Sequence, residues 1–279
     1  MSLERSFYGS PEKSLYARNP ERELLPAEER LASYLYRETR GFPLPSFEEF
    51  DEVYTPEEIA KDKKKLKEVV RGFESYSGER SDLVTRLFLH LVYDLEYLKP
   101  KSGNWEVYAG LTHPYDDKLR GADMVIVFYN RKSGEELPLA VDTTTGSDTY
   151  DKEVKIRRDF EHGNLRRLKY YKSPVNGQAV GQKEMPAVIL GYTPENFQKI
   201  AKAWQKEGNS AFEALLAGLE KEIRAQLLSQ VADIKELAPA HRQTELIDKI
   251  GKISGLFSGH KEKGATEVAP IQVSRERFA

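Results

Sequence analysis

Residues 121–155 read GADMVIVFYNRKSGEELPLAVDTTTGSDTYDKEVK. Two apolar runs, at 124–128 and 139–141, flank Asn130-Arg131-Lys132-Ser133-Gly134, a cluster of turn-forming residues. The pattern predicts a β-hairpin whose first strand opens at Asp123 and whose second closes at Asp142. Side chains alternate along a strand, so Asp142 and Thr144 share one face and Thr143 takes the other. Two carboxylates at neighbouring strand ends can share a hard divalent cation, Mg²⁺ or Mn²⁺, because such ions take oxygen ligands. For either aspartate alone, a solvated position beside a turn is a sufficient explanation.

Upstream of the hairpin, residues 105–111 (WEVYAGL) alternate as a strand, and His113-Pro114-Tyr115-Asp116-Asp117 reads as a loop carrying two further carboxylates. Before them, Leu83, Leu87 and Leu91 recur at helical spacing, and Val84, Phe88 and Val92 widen the stripe, so this helix is buried on most sides. His90 lies among them and reads as a hydrogen-bonded core histidine rather than a ligand. Glu79 stands at the helix start, where a carboxylate also favours the helix dipole. Downstream, residues 150–161 form a helix that Gly163 terminates. LRRLKYYK (165–172) continues as a helical turn or short strand, and KEMPAVILGY (183–192) reads as one buried strand.

The rest of the chain is helical. Thr55-Pro56-Glu57-Glu58 is a capped helix start, and the Lys61–Lys67 run that follows reads as a solvated face. Thr193-Pro194 opens a further helix. Ser210-Ala211-Phe212-Glu213 reads as the capping box of a long helix ending at Leu237, and 243–257 adds a short one. The expected organisation is an N-terminal arm and helical extension (1–76), an α/β core (77–204), a C-terminal helical extension (205–257) and a polar tail (258–279).

Composition narrows the chemistry. The chain has 43 Lys+Arg against 45 Asp+Glu, so global charge does not select a polyanionic partner and local patches must decide. There is no cysteine, which excludes disulfides, thiolate nucleophiles and cysteine zinc sites. No apolar run approaches the roughly 20 residues that cross a bilayer, so no membrane partner and a cytoplasmic location are expected. Between Asp151 and Lys172 eight basic residues face four acids. Lys152, Arg157, Arg158, Arg166, Arg167 and Lys169, interleaved with Tyr170 and Tyr171, form a candidate surface for DNA or RNA, the tyrosines stacking on bases.

The order helix, three strands, helix, strand, together with Asp123 and Asp142-Thr143-Thr144, resembles the PD-(D/E)XK, or restriction-endonuclease-like, superfamily over roughly residues 77–204. The resemblance implies an αβββαβ core with a small mixed sheet and Mg²⁺-dependent (or Mn²⁺-dependent) hydrolysis of nucleic acid phosphodiesters. Asp123 and Asp142 would bind the metal and Glu79 would be the helix acid of the site. The stretch YDDKLRGADMVIVF with AVDTTT also resembles uncharacterised bacterial and phage members of this fold, which adds Asp117, with Asp116, to the candidate ligands. Where the superfamily places its catalytic lysine this chain has Thr144, which can hold a water but carries no charge. Some members supply the lysine from the following helix. Lys155 is the preferred candidate for that role, with Lys152 and Lys169 as alternatives. The rival reading is a degenerate member that binds nucleic acid or protein without cutting, and the Thr144 departure favours it.

Overall fold

The computed structural model describes residues 24–73, 79–93, 98, 100, 103–146 and 149–257, without the side chains at 72, 73, 79, 80 and 213–217. The expected N-terminal arm, the polar tail and the Glu79 side chain lie outside the described residues. In chain order the elements are α1 (Pro26–Glu38), α2 (Pro56–Phe73), α3 (Glu79–Tyr93), β1 (Trp105–Leu111), α4 (Pro114–Arg120), β2 (Met124–Asn130), β3 (Glu136–Thr144), α5 (Thr149–Glu161), β4 (Arg166–Lys172), β5 (Ala179–Met185), β6 (Ala187–Gly191), α6 (Pro194–Glu207), α7 (Glu213–Leu237) and α8 (Ala240–Leu256).

The hairpin forms because its turn satisfies itself. Asn130 Oδ1 accepts from the backbone N–H of Lys132 and of Ser133, and Gly134 takes a left-handed φ of 73°. The register sets Met124 opposite Val141, which brings Asp123 beside Asp142 at the hairpin's open end. β1 and β3 flank β2 in antiparallel pairing, and β6 joins β3 in parallel, giving a mixed sheet in the order β1-β2-β3-β6. Gly191 permits the last step. A Cβ there would lie inside van der Waals contact with the Thr144 carbonyl oxygen and 2.8 Å from the carbonyl carbon.

α3 packs across β1, β2 and β3, whereas α5 and α7 contact β6 and α8 contacts β3. Val125, Val127, Phe128, Ala140 and Val141 are all buried, as continuous apolar strands between two helical layers must be. The same core takes side chains from α1, α6, α7 and α8, so the helical segments on either side of the sheet share it. α7 also covers the outer edge of β6. Gln226 accepts from Ile189 N–H at 2.8 Å and donates to Ile189 C=O at 2.6 Å, and Gln230 donates to Ala187 C=O at 2.6 Å.

Several local expectations change. Residues 114–120 are helical rather than a loop: His113 caps α4 by accepting from Tyr115 N–H, Pro114 occupies the first turn, and Gly121 closes it in the left-handed region. Residues 183–192 are two strands, not one. Pro186 separates them, β5 pairing with β4 in a second, two-stranded sheet while β6 enters the main one. Residues 166–172 are the strand β4. Phe212 ends a 3₁₀ turn and caps α7 without a side-chain bond, so the expected Ser210 capping box does not start that helix. His90 is a core residue, with Nε2 at 3.1 Å from Tyr34 Oη. No helix among the described residues is long and apolar enough to cross a membrane.

Candidate functional site

The site lies where β3 ends, and strand alternation divides it. Thr143 points toward α3, and Asp142 points toward α5. The Asp123 carboxylate reaches over the strand end, its Oδ2 accepting from both the Thr143 N–H and the Thr143 hydroxyl at 2.6 Å. Thr143 Oγ1 in turn lies 2.7 Å from Thr85 Oγ1 and 3.4 Å from Ser81 Oγ of α3. Since the Thr143 proton goes to Asp123, Thr85 is the donor in the threonine pair. Asp123 is thereby held as an acceptor by two hydrogen bonds from one residue.

On the other face, Asp142 is 5% exposed. Lys152, in the first turn of α5, places Nζ 2.5 Å from Asp142 Oδ1 and also donates to the Thr143 carbonyl. Burial pushes the Asp142 carboxyl up to about 6, against the pull of Lys152 and with a further push from Asp123. The Arg166 guanidinium stands across Gly121 from Asp142. Arg166 is fixed, since it donates to Asp159 at 2.9 Å and to the carbonyls of Arg120 and Gly121. Gly121 leaves room for this: its φ is +64°, and a Cβ there would meet Asp142 Oδ2 at 2.6 Å and Arg166 Nη1 at 3.3 Å.

Asp117 completes the carboxylate group. Its side chain is 29% exposed and pairs with Lys118 at 2.9 Å. Burial, then the neighbouring Asp123, raise its carboxyl well above the usual range, because two carboxylates this close do not both ionise freely. Asp116 is not part of this group. It is buried against β4, accepting the backbone N–H groups of Lys169 and Tyr170 at 2.8 Å each, and burial raises it to about 6. It therefore fastens α4 to β4, which holds Asp117 in place.

The structure thus brings Asp117, Asp123, Asp142 and Lys152 together. Lys155, the lysine preferred from the sequence, is exposed one turn further along α5. Thr144 is buried, its hydroxyl accepting from Gly146 N–H at 3.1 Å, so it lies within the strand-end turn. Thr143, Thr85 and Arg166 enter the site without having been singled out for it. The alternation of β3 marks Thr143 as the residue facing α3, but nothing local identifies its helix partner.

Of the residues expected to form a nucleic-acid surface, Arg158 and Arg167 are exposed, while others are buried or paired. Tyr170 and Tyr171 are buried, and Tyr170 Oη donates to Asp62 of α2 at 2.6 Å, so neither ring can stack on a base. Lys169 pairs with Asp62 at 2.5 Å, Arg157 with Asp233 at 3.0 Å, Arg167 with Glu184 at 3.7 Å, and Lys172 with Glu49. Lys155 and Arg158 are the exposed cations that remain on α5. Among the described residues no group of three or more His, Cys, Asp or Glu side chains is arranged to hold a metal ion. What converges instead is two hard oxygens, Asp142 Oδ1 and the Thr143 carbonyl, on the Lys152 ammonium. No protein-family model, curated protein or solved structure matches the chain.

Proposed function

We propose that this chain is a restriction-endonuclease-like phosphodiesterase that hydrolyses DNA or RNA with the help of Mg²⁺ or Mn²⁺. The observation carrying this reading is the Lys152 ammonium lying against Asp142 and the Thr143 carbonyl, beside Asp123 and Asp117. The order α3-β1-β2-β3-α5-β6, interrupted by α4 after β1 and by the separate β4–β5 pair after α5, supports the fold assignment with its mixed four-stranded sheet. The donors fit a hard ion of the Mg²⁺ type, which keeps several waters and uses one or two carboxylates rather than an all-protein cage. Asp123, Asp142 and the Thr143 carbonyl would hold it, with Asp117 alongside. Such an ion supplies Lewis-acid polarisation of a phosphoryl oxygen.

The chain's own residues do the rest. Thr143 and Thr85 hold Asp123 in one orientation, and Arg166 offsets charge at Asp142 without leaving its carbonyl partners. Lys152 supplies the positive charge that phosphodiester attack requires and Thr144 lacks, a role typically worth about 10²–10³ in rate. Arg158, exposed two turns along α5, is a candidate contact for the phosphate backbone. The test is metal-dependent cleavage of single- and double-stranded DNA and RNA. Asp142→Asn and Lys152→Ala should abolish it. A greater loss in Lys155→Ala than in Lys152→Ala would return the role to Lys155. One observation favours the second reading, binding without cleavage: the lysine ammonium already fills the convergence of oxygens. Salt-sensitive binding with no cleavage in either metal would select it.

A further inference from the structure

Asp142 is almost fully buried and stands beside a second carboxylate, so it requires a cation. Two are within reach, and they differ in freedom. Arg166 is held by Asp159 and by two backbone carbonyls. Lys152 hangs from the first turn of α5 on a flexible four-carbon stem, with 13% of its side chain exposed. Its ammonium sits where Asp142 Oδ1 and the Thr143 carbonyl converge. Those are oxygens of the kind a divalent ion takes, and an ammonium and a metal ion cannot both occupy their meeting point.

We propose that Lys152 is a tethered competitor of the divalent cation: it closes the cation place until a metal displaces it. The proposal rests on the metal-dependent reading above and adds a coupling to it. With Asp142 and the Thr143 carbonyl taken by an ion, the Lys152 ammonium would have to leave their meeting point and would be free to face a substrate phosphate. Loading of the ion and delivery of the lysine charge are then one event. The cost is weakened metal affinity in the resting protein, and the benefit is an acidic group that stays folded with no metal present.

The experiment is calorimetric titration of Mn²⁺ into wild type, Lys152→Met, Lys152→Gln and Asp142→Asn, with thermal melts of each in chelator and in Mn²⁺. Methionine keeps the stem and removes the charge. Glutamine keeps a donor for Asp142 and serves if the methionine variant does not fold. Both should bind Mn²⁺ roughly tenfold or more tightly than wild type, within the usual range of couplings between ligands. Both should melt lower than wild type in chelator and show the larger rise on adding metal. Asp142→Asn should not bind. Equal or weaker affinity in the lysine variants, with binding still lost in Asp142→Asn, overturns the competition and leaves the metal reading standing. Absence of binding in every protein overturns both.

Discussion

Thr143→Val isolates the link between α3 and the end of the sheet that carries the candidate site. Valine keeps the shape and β-branching of threonine, so strand propensity and packing change little. What is lost is the hydroxyl's 2.6 Å bond to the Asp123 carboxylate. A hydrogen bond to a charged group contributes roughly 1.5–3 kcal/mol. The backbone N–H of residue 143 still serves the same oxygen at 2.6 Å, and the Thr85 hydroxyl has the Ser81 carbonyl at 3.0 Å as a second acceptor. Neither buried partner is therefore orphaned, and the expected destabilisation is about 2 kcal/mol. For a domain of this size that lowers Tm by roughly 4–8 °C. Urea unfolding with an unchanged m-value reads it directly. A cycle with Thr85→Val should show a coupling of about 1 kcal/mol, because Thr85 donates to Thr143 only while the hydroxyl is there. A loss below about 0.5 kcal/mol in Thr143→Val, or no coupling to Thr85, refutes the network.

Three other outcomes are expected. Gly191→Ala should destabilise by about 3 kcal/mol or more, since its methyl meets the backbone of Thr144 rather than a movable side chain, and denaturant melts will show it. Burial lowers His113 from 6.5 to about 4, so its neutral form is favoured in the fold and its contribution is fully present above pH 6.5 and lost as pH falls toward 4. The stability difference between His113→Phe and wild type, followed by urea titration across that window, should shift by up to about 3 kcal/mol in favour of the variant, and a flat difference contradicts the burial. Asp62→Ala should destabilise more than Arg158→Ala, because it strands both Lys169 and the buried Tyr170 hydroxyl, whereas Arg158 is exposed; equal Tm values for the two would count against the pairing.

The hairpin was legible because two independent local signals agreed, an apolar run at strand length and a turn that satisfies its own backbone. The pairing of Asp123 with Asp142 followed from that register. α4 was written in the sequence as well, with Pro114 at its first turn and Gly121 after its last, but seven residues carry too weak a periodicity to announce a helix. The division at Pro186 was missed because the apolar run 187–190 and the alternating run before it abut. A proline removes the ladder donor at one point without saying that the flanking strands join different sheets. Choosing Lys152 over Lys155 needs the rotation of α5 about its axis, which tertiary packing sets. The pairing within the basic stretch was illegible for a related reason: composition counts charges but not their partners, and the partner of Lys169 lies 107 residues away.

The two glutamines on α7 have a consequence for how the protein fails. An outer strand normally offers its unpaired N–H and C=O groups to any extended chain nearby, and so invites fibrous association or exchange between copies. Here Gln226 occupies both groups on Ile189 and Gln230 occupies the carbonyl of Ala187, much as another strand would. The protection is only as durable as the docking of α7. Unfolding that released this helix first would bare the β6 edge while β1, β2 and β3 were still paired, leaving a flat apolar template. Damage to the α7–α8 packing should therefore show itself as aggregation before it appears as loss of sheet structure.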